Sequence, residues 1–313
     1  MTQFEHIYIF NYNHHEEELC KFEAKHIFNQ EIENKLIFSD KIVEPSSSAY
    51  IRQRLDIILN SKDYPILLDE IKKLNLRLDG FKVEYLLFAG DPTRNAERLN
   101  KCRDIAFKIE GTPNYYHPHT IYALCYYEGI WYFGTEIKNT PDWHKHKQKP
   151  HVFSSSINPD IAKALINTAS QGNKDKKLID TCCGVGTVLL EACYAGYNIE
   201  GCEIGKKVCH QARANLEHFN YSAIVHHSDI KDITAHFDAA IVDLPYNLFC
   251  RADDNTLSHI IKYSAEVADR LVIVSASDVS DMIQSYGLSI IDQCSIGKMG
   301  KTKFERKIWV CVK

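Results

Sequence analysis

Leu178-Ile179-Asp180-Thr181-Cys182-Cys183-Gly184-Val185-Gly186-Thr187 runs from a short apolar stretch into a turn of small residues with two glycines. An apolar run that ends in Asp and leads through glycines into a helix-forming segment from Val188 reads as strand, tight turn and helix. Gly184 and Gly186 allow the backbone to close against a ligand. Further on, Asp238-Ala239-Ala240-Ile241-Val242 has the composition of a buried parallel strand, and Asp243-Leu244-Pro245-Tyr246-Asn247 follows it directly. Both segments therefore emerge at the carboxyl edge of a sheet, where open α/β sheets bind their ligands.

The residues around the glycine turn select among ligands. A dinucleotide wants a third glycine and an uncluttered, positive helix start for its pyrophosphate, and Leu189 stands where that glycine would be. Three acids end successive predicted strands: Asp180, Glu203 in Asn198-Ile199-Glu200-Gly201-Cys202-Glu203, and Asp229 in Ile224-Val225-His226-His227-Ser228-Asp229. They repel pyrophosphate and suit a cation. S-adenosylmethionine has no phosphate, carries a sulfonium and an ammonium, and offers hydroxyl and amine donors. Asp180 with Cys182, Gly184, Gly186 and Thr187 is placed at its methionyl end, Glu203 with Ile204 at the ribose, and Asp229 with Ile230 at the adenine. Each acid alone could equally be a helix cap or a solvated strand end. Their ordered recurrence after three strands is what points to a methyl donor.

Asp243 to Tyr246 suits an amine acceptor. An exocyclic amine on a nucleobase is a poor nucleophile because its lone pair is delocalised into the ring. A carboxylate at Asp243 and the main-chain carbonyl of Leu244 accepting its two N–H groups would localise that pair. Pro245 stiffens the turn, and Tyr246 offers a flat face on which a base can stack. A paired base cannot reach such a pocket, so it must be flipped out or already unpaired. An ordinary Asp-x-Pro turn with a packed tyrosine is the alternative for the segment taken by itself.

From Leu178 onward, strand and helix patterns alternate, which predicts a parallel sheet covered on both faces, and Ser289 to Ser295 and Lys307 to Lys313 supply two closing strands. At this point the chain resembles a known family. Asp243 to Tyr246 resembles the Asp-Pro-Pro-Tyr motif of amino-methyltransferases. Trp131 to Ile137, Lys147 to His151 and Ile157 to Ala169 are similar to stretches of the THUMP-containing tRNA guanosine 2-amino methyltransferases. The resemblance runs from about Tyr132 to the carboxyl end. It implies an α/β Rossmann-like class I methyltransferase domain with a mostly parallel seven-stranded sheet over residues 149–313, preceded by an α+β THUMP-like RNA-binding module over residues 1–148. Two departures stand out: Leu244 replaces the first proline, which loosens the turn, and Asn247 replaces the small residue that usually follows Tyr.

Within the amino-terminal half, the pattern predicts strands at Ile7 to Asn11 and Leu36 to Phe38 and helices at Glu16 to Phe28 and Ser48 to Leu59. A second unit follows, with helices at Tyr64 to Leu74 and Asp91 to Ile109, a strand at Phe81 to Phe88, and a hairpin through Thr120 to Ile137. The 313 residues carry a net charge of -4, which argues against a uniformly basic surface for nucleic acid. An RNA enzyme of this charge must concentrate its cations locally. Trp143 to His151 and Lys298 to Lys307, the latter with Lys301, Lys303 and Arg306, are the two candidates, each readable also as a solvated linker or hairpin. His144, His146 and His151 lack a fourth ligand and helical spacing, so no metal is expected. Eleven scattered cysteines point to a reducing cytoplasm, and no run is long and apolar enough for a bilayer. The expected activity is methylation of a guanosine 2-amino group in RNA, most plausibly tRNA. The alternatives are an adenine amine in RNA or DNA, ribosomal guanosine, and an RNA-binding protein with a vestigial fold. A small activating subunit and the oligomeric state are left open.

Overall fold

The computed structural model describes residues 4–153, 156–245, 253–297 and 305–313. In chain order the elements are β1 (His6–Phe10), α1 (Glu17–Phe28), β2 (Leu36–Ser39), β3 (Ile51–Ser61), α2 (Tyr64–Lys73), β4 (Phe81–Leu86), α3 (Asn95–Ala106), β5 (Thr120–Tyr127) and β6 (Ile130–Lys138). A 3-10 helix (Pro141–Gln148) leads on to α4 (Pro159–Ser170), β7 (Lys177–Asp180), α5 (Thr187–Ala195), β8 (Asn198–Glu203), α6 (Lys206–His218), β9 (Ile224–His227), β10 (Phe237–Asp243), α7 (Asp254–Val267), β11 (Ala268–Ser275), α8 (Ser280–Ser285), β12 (Ser289–Gly297) and β13 (Glu305–Val312). The chain forms two units, one of Met1–Asn11, Ile32–Pro45 and Ile51–Asn139, the other of Tyr12–Glu31, Ser46–Tyr50 and Thr140–Lys313. The division is therefore not a single cut in the sequence, because α1 belongs to the second unit.

The first unit is built on a six-stranded sheet in the order β2-β1-β3-β6-β5-β4. Its centre overturns one expectation: Ser48 to Leu59 does not form a helix, and β3 occupies Ile51–Ser61. The apolar residues Ile51, Leu55 and Ile57 recur at the even spacing that strands require, a register shift between Ile57 and Leu59 turns Leu59 to the other core, and pairing with β1 on one side and β6 on the other satisfies the backbone. Adjacent Ile57 and Ile58 blur that alternation in the sequence. At Gly134 of β6 a Cβ would lie 1.9 Å from the Asp56 carbonyl oxygen, so glycine is required by the close pass of the two strands. Leu67 and Ile71 of α2, Ile105 of α3, and Phe81, Leu124 and Phe133 of the sheet form one core. Ile7, Leu36, Leu55 and Ala123 form another.

The second unit holds a seven-stranded sheet in the order β12-β13-β11-β10-β7-β8-β9. From β11 to β9 neighbouring strands are parallel, and β13 runs antiparallel to both β11 and β12. This is the Rossmann-like class I arrangement with its antiparallel finish. Ile179, Ala240, Val242, Leu271 and Ile273 face α7 and α8 through Leu257, Ile261 and Ile283. The alternate residues Leu178, Ala239, Ile241 and Val272 are equally buried, as expected for a sheet covered on both faces.

The helix α1 packs beside α4 and β12 within this unit. Its Glu23 is wholly buried and accepts hydrogen bonds from Ser48 Oγ (2.7 Å) and Asn167 Nδ2 (2.5 Å), and the Tyr197 hydroxyl donates to Asn167 Oδ1 (2.8 Å). Burial pushes the Glu23 carboxyl up to about 7, against the pull of the two donors. Because its folded value lies above its ordinary 4.5, the proton stabilises the folded state. That contribution is complete below 4.5 and is lost as the pH rises to about 7. Thermal unfolding between pH 4.5 and 8 should show the parent losing stability more steeply than Glu23→Gln, by on the order of 3 kcal/mol across the range. Parallel curves would show that Glu23 does not titrate between those limits.

Candidate active site

The site grows from the ends of β7, β8 and β10. In the turn after β7, Thr181 N donates to Ile241 O (3.0 Å), Cys183 N to Cys202 O (3.0 Å) and Gly186 N to Cys183 O (2.8 Å), so neighbouring strands hold the turn by its backbone. Gly184 and Gly186 have φ of 53° and 83°, the left-handed conformation that favours glycine. The two differ in surroundings. A Cβ on Gly186 would meet Ala212 Cβ at 3.4 Å, which ties Gly186 to packing against α6, whereas among the described residues nothing lies within 4 Å of a Cβ on Gly184. The open space over Gly184 belongs to a cavity of about 530 Å³.

Asp180, Cys182, Gly184, Thr187, Glu203, Ile204, Asp229, Ile230, Asp243, Leu244 and Pro245 all line this cavity. Among the described site residues named from the sequence, Gly186 alone does not. Tyr246, like Asn247, lies outside the described residues. Glu203 accepts from two turn amides, Gly184 N at Oε2 (3.1 Å) and Gly205 N at Oε1 (2.7 Å), and each oxygen keeps a lone pair for a further donor. Asp229 Oδ1 accepts from Lys231 N (3.0 Å) and bonds His259 Nε2 (2.8 Å). Burial opposes the Asp229 charge, but the His259 ring and the Lys231 amide outweigh it and hold the carboxyl below its ordinary value. Ile230 is buried under the cavity floor while Ile204 is 70% exposed at its rim.

Asp180 pairs in register with Ile241, so Asp180 and Asp243 project from the same face of adjacent parallel strands. Burial first, and the Asp243 charge second, raise the Asp180 carboxyl well above its ordinary range. Asp243 is pushed up to about 6 by burial, with Arg306 working in the opposite direction. Its Oδ1 has no hydrogen-bond partner among the described residues. A cavity that concentrates carboxyl groups without a described partner cation at each is suited to a ligand bearing positive charge and N–H or O–H donors. Burial also pushes the Cys182 and Cys183 thiols well above their ordinary value, which keeps them protonated and unreactive.

Leu244 opens the segment whose later residues, Tyr246 and Asn247, lie outside the described residues. Its N–H donates to Val274 O (2.9 Å) and extends the β10–β11 ladder by one residue, a bond that proline could not make. The basic run Trp143 to His151 is also not a plain solvated linker. In the 3-10 helix every third residue turns inward, burying Trp143 and His146, with Lys149 buried just beyond its end, and leaving His144, Lys145 and Lys147 exposed. His146 Nδ1 lies 2.7 Å from Glu191 Oε1 and Nε2 lies 3.1 Å from the Tyr221 hydroxyl. Of the second basic run, Lys298, Lys301 and Lys303 lie outside the described residues, Lys307 pairs with Asp278 (2.8 Å), and Arg306 is buried. Sequence reading missed His259, Thr256 and Phe153 as cavity residues. No spacing in the sequence links them to the turn, because they reach it through tertiary packing. Among the described residues no group of three or more His, Cys, Asp or Glu could hold a metal ion, and no helix is long and apolar enough to cross a membrane.

Residues 147–257 match the family model described as UPF0020, the RMKL-like methyltransferase domain. That segment carries a methyltransferase domain. Two similar curated proteins are each named tRNA (guanine(10)-N2)-dimethyltransferase. The one from Methanothermobacter thermautotrophicus is 29% identical over 106 residues, covering 33% of this chain and 31% of its own length. The one from Methanocaldococcus jannaschii is 25% identical over 199 residues, covering 62% of this chain and 54% of its own length. The chain thus spans between about a third and about half of the curated relatives it matches. Among solved structures, TrmN from Thermus thermophilus aligns over 98% of this chain and 99% of that one with a TM-score of 0.49 and 12% identity.

The open space at Gly184 yields a direct test. Gly184→Ala meets no atom of the described residues, so the protein should lose only about 1 to 2 kcal/mol from the left-handed φ, a few degrees in melting temperature. Its S-adenosylmethionine affinity by calorimetry should fall at least tenfold, about 1.4 kcal/mol or more. Undiminished affinity would place the donor elsewhere.

Proposed function

We propose that this chain transfers a methyl group from S-adenosylmethionine to the exocyclic 2-amino group of a guanosine in tRNA. The observation that carries the reading is that Asp243, Leu244 and Pro245 open into the same cavity as Gly184, Glu203 and Asp229. An amine-accepting group and a donor-binding turn that share one cavity are what a direct transfer requires. The names of the two curated relatives supply the base, the amine and the class of RNA.

The residues present fit the donor. Asp180, Cys182, Gly184 and Thr187 would hold its methionyl end, with Gly186 setting the turn, Glu203 and Ile204 the ribose side, and Asp229 and Ile230 the adenine. When bound, S-adenosylmethionine supplies an activated methyl group. Asp243 accepts one N–H of the target amine and the Leu244 carbonyl accepts the other, which turns the nitrogen lone pair toward the methyl carbon. After transfer the nitrogen sheds a proton, and the Asp243 carboxylate is the group placed to receive it. With Asp243 near 6, most of it is ionised at neutral pH while it remains basic enough to act. Tyr246 would stack on the base, a role that rests on its place in the sequence.

Residues 1–148 would serve as a THUMP-like RNA-binding module and 149–313 as the catalytic domain, with α1 contributed to the latter's packing. The ten described cysteines are all free, which suits a reducing cytoplasm.

Nucleoside mass spectrometry of tRNA incubated with the protein and isotopically labelled S-adenosylmethionine tests the reading. Label is expected in N2-methylated guanosine; label in methyladenosine, or none with the donor bound, would sink it. Asp243→Ala should abolish transfer, at least a hundredfold, while donor affinity changes little, because Asp243 acts on the amine. An Asp243→Ala variant that keeps most of its turnover removes the proposed role.

A further inference from the structure

Arg306 entered the sequence reading as one of a run of surface cations, and the sheet register places it elsewhere. Across three adjacent strands, Asp243 of β10 pairs with Val274 of β11, and Val274 pairs with Ile308 of β13. Paired residues share a face of the sheet, and so do residues two apart along one strand. Arg306 therefore stands on the face of Asp243, two strand spacings across and one two-residue step further toward the carboxyl edge of β10, roughly 12 Å between the two Cα atoms. The two side chains together reach across most of that separation. Its neighbour Lys307 takes the opposite face, where it pairs with Asp278 (2.8 Å). Arg306 is only 7% exposed.

A guanidinium is costly to bury unless something repays its lost hydration. Burial weakens the Arg306 charge and Asp243 supports it, and the same attraction acts on Asp243 in turn. The other titratable groups near Asp243 line the same cavity. Asp180 and Cys182 come from the end of β7 and both interact with Asp243; Glu203, Asp229 and His259 complete the cavity wall. On β11 the residue paired with Asp243 is the uncharged Val274.

We propose that Arg306 is a positioning residue for Asp243, its guanidinium holding the carboxylate charged at the carboxyl edge so that it can accept the N–H of the target amine. The amine-accepting role of Asp243 is that of the proposed function, and the inference rests on it. The electrostatic pairing itself does not. Removing Arg306 leaves Asp243 buried beside Asp180 with no cation of this kind, so it protonates at higher pH and presents a hydroxyl donor where an acceptor is needed. The sign follows directly: transfer is lost at low pH and recovered as the pH passes the raised midpoint.

The full chain labelled with carboxyl-13C aspartate provides a readout independent of activity, with the Asp243 signal assigned by its loss in Asp243→Asn. The parent midpoint is expected near 6, that of Arg306→Gln about 1 to 3 pH units higher, and that of Arg306→Lys close to the parent. An unchanged midpoint in Arg306→Gln overturns the proposal. In single-turnover methyl transfer, Arg306→Gln should be at least tenfold slower than the parent at pH 6.5 and approach it above pH 8.5. A loss of the same size at every pH would mark a merely structural residue and overturn the proposal. Arg306→Met, which keeps the apolar stem, serves the same comparison if the glutamine variant does not fold. Should no tRNA guanosine be labelled while the carboxyl midpoint still moves, the substrate assignment fails and the pairing of Arg306 with Asp243 stands.

Discussion

Two buried carboxyls at the ends of adjacent parallel strands set the terms for the rest of the second unit. Asp180 and Asp243 project from one face of β7 and β10, and each resists ionising because it is buried and, for Asp180, because the other is charged. Such a pair destabilises the fold that contains it. It persists where the framework beneath is strong enough to impose it, and here that framework is the wholly buried apolar centre of the sheet, Ile179, Ala240, Val242, Leu271 and Ile273. The Asp180 side of that pair suits a ligand with fixed positive charge, while Asp243 stands at the edge where the acceptor would enter.

The turn amides show how the same edge is kept from collapsing onto its own acids. The left-handed φ of Gly184 aims its N–H at Glu203, and Gly205 N–H reaches the other oxygen of the same carboxylate. The carboxylate is thereby fixed in place without being used up, since each oxygen still has acceptor capacity. Asp229 is handled similarly by the His259 ring and Lys231 N–H, which hold its carboxyl below its ordinary value. Asp180 Oδ1 accepts from Cys182 N (3.3 Å) in the same way, so three of the four acids are held by backbone amides.

Much of this was legible in the sequence, for a physical reason. Buried parallel strands are continuous apolar runs, and a glycine turn that ends in an acid is a local signal, so β7, β8, β10 and the cavity acids could be read directly. The failures share a different cause. Ser48 to Leu59 was read as a helix because local periodicity is ambiguous where Ile57 and Ile58 adjoin, and the choice was made by pairing with β1 and β6, strands far away in sequence. His146 and Arg306 were read as surface cations because composition does not say which way a side chain turns. For both, a period was available: three along the 3-10 helix of Pro141–Gln148, and two along β13. The partition of α1 into the second unit had no such signal, since its helical pattern is complete within Glu17–Phe28 and its burial is decided by Asn167 and Ser48.

Leu244 shows how a departure from a familiar pattern can preserve its mechanics. A proline at that position would restrict the turn through its ring and give up its N–H. Leucine keeps the N–H and donates it to Val274 O, so Leu244 itself is held by one more rung of the sheet. The side chain is 1% exposed and joins the apolar cluster around Val242 and Leu257, which adds a packing restraint that a smaller ring would not supply. The restraint has moved from torsion angle to ladder and core, while the carbonyl that would accept the amine remains at the same point of the chain. Under the proposed function this position needs a backbone acceptor beside the Asp243 carboxylate, and leucine as well as proline can hold it there.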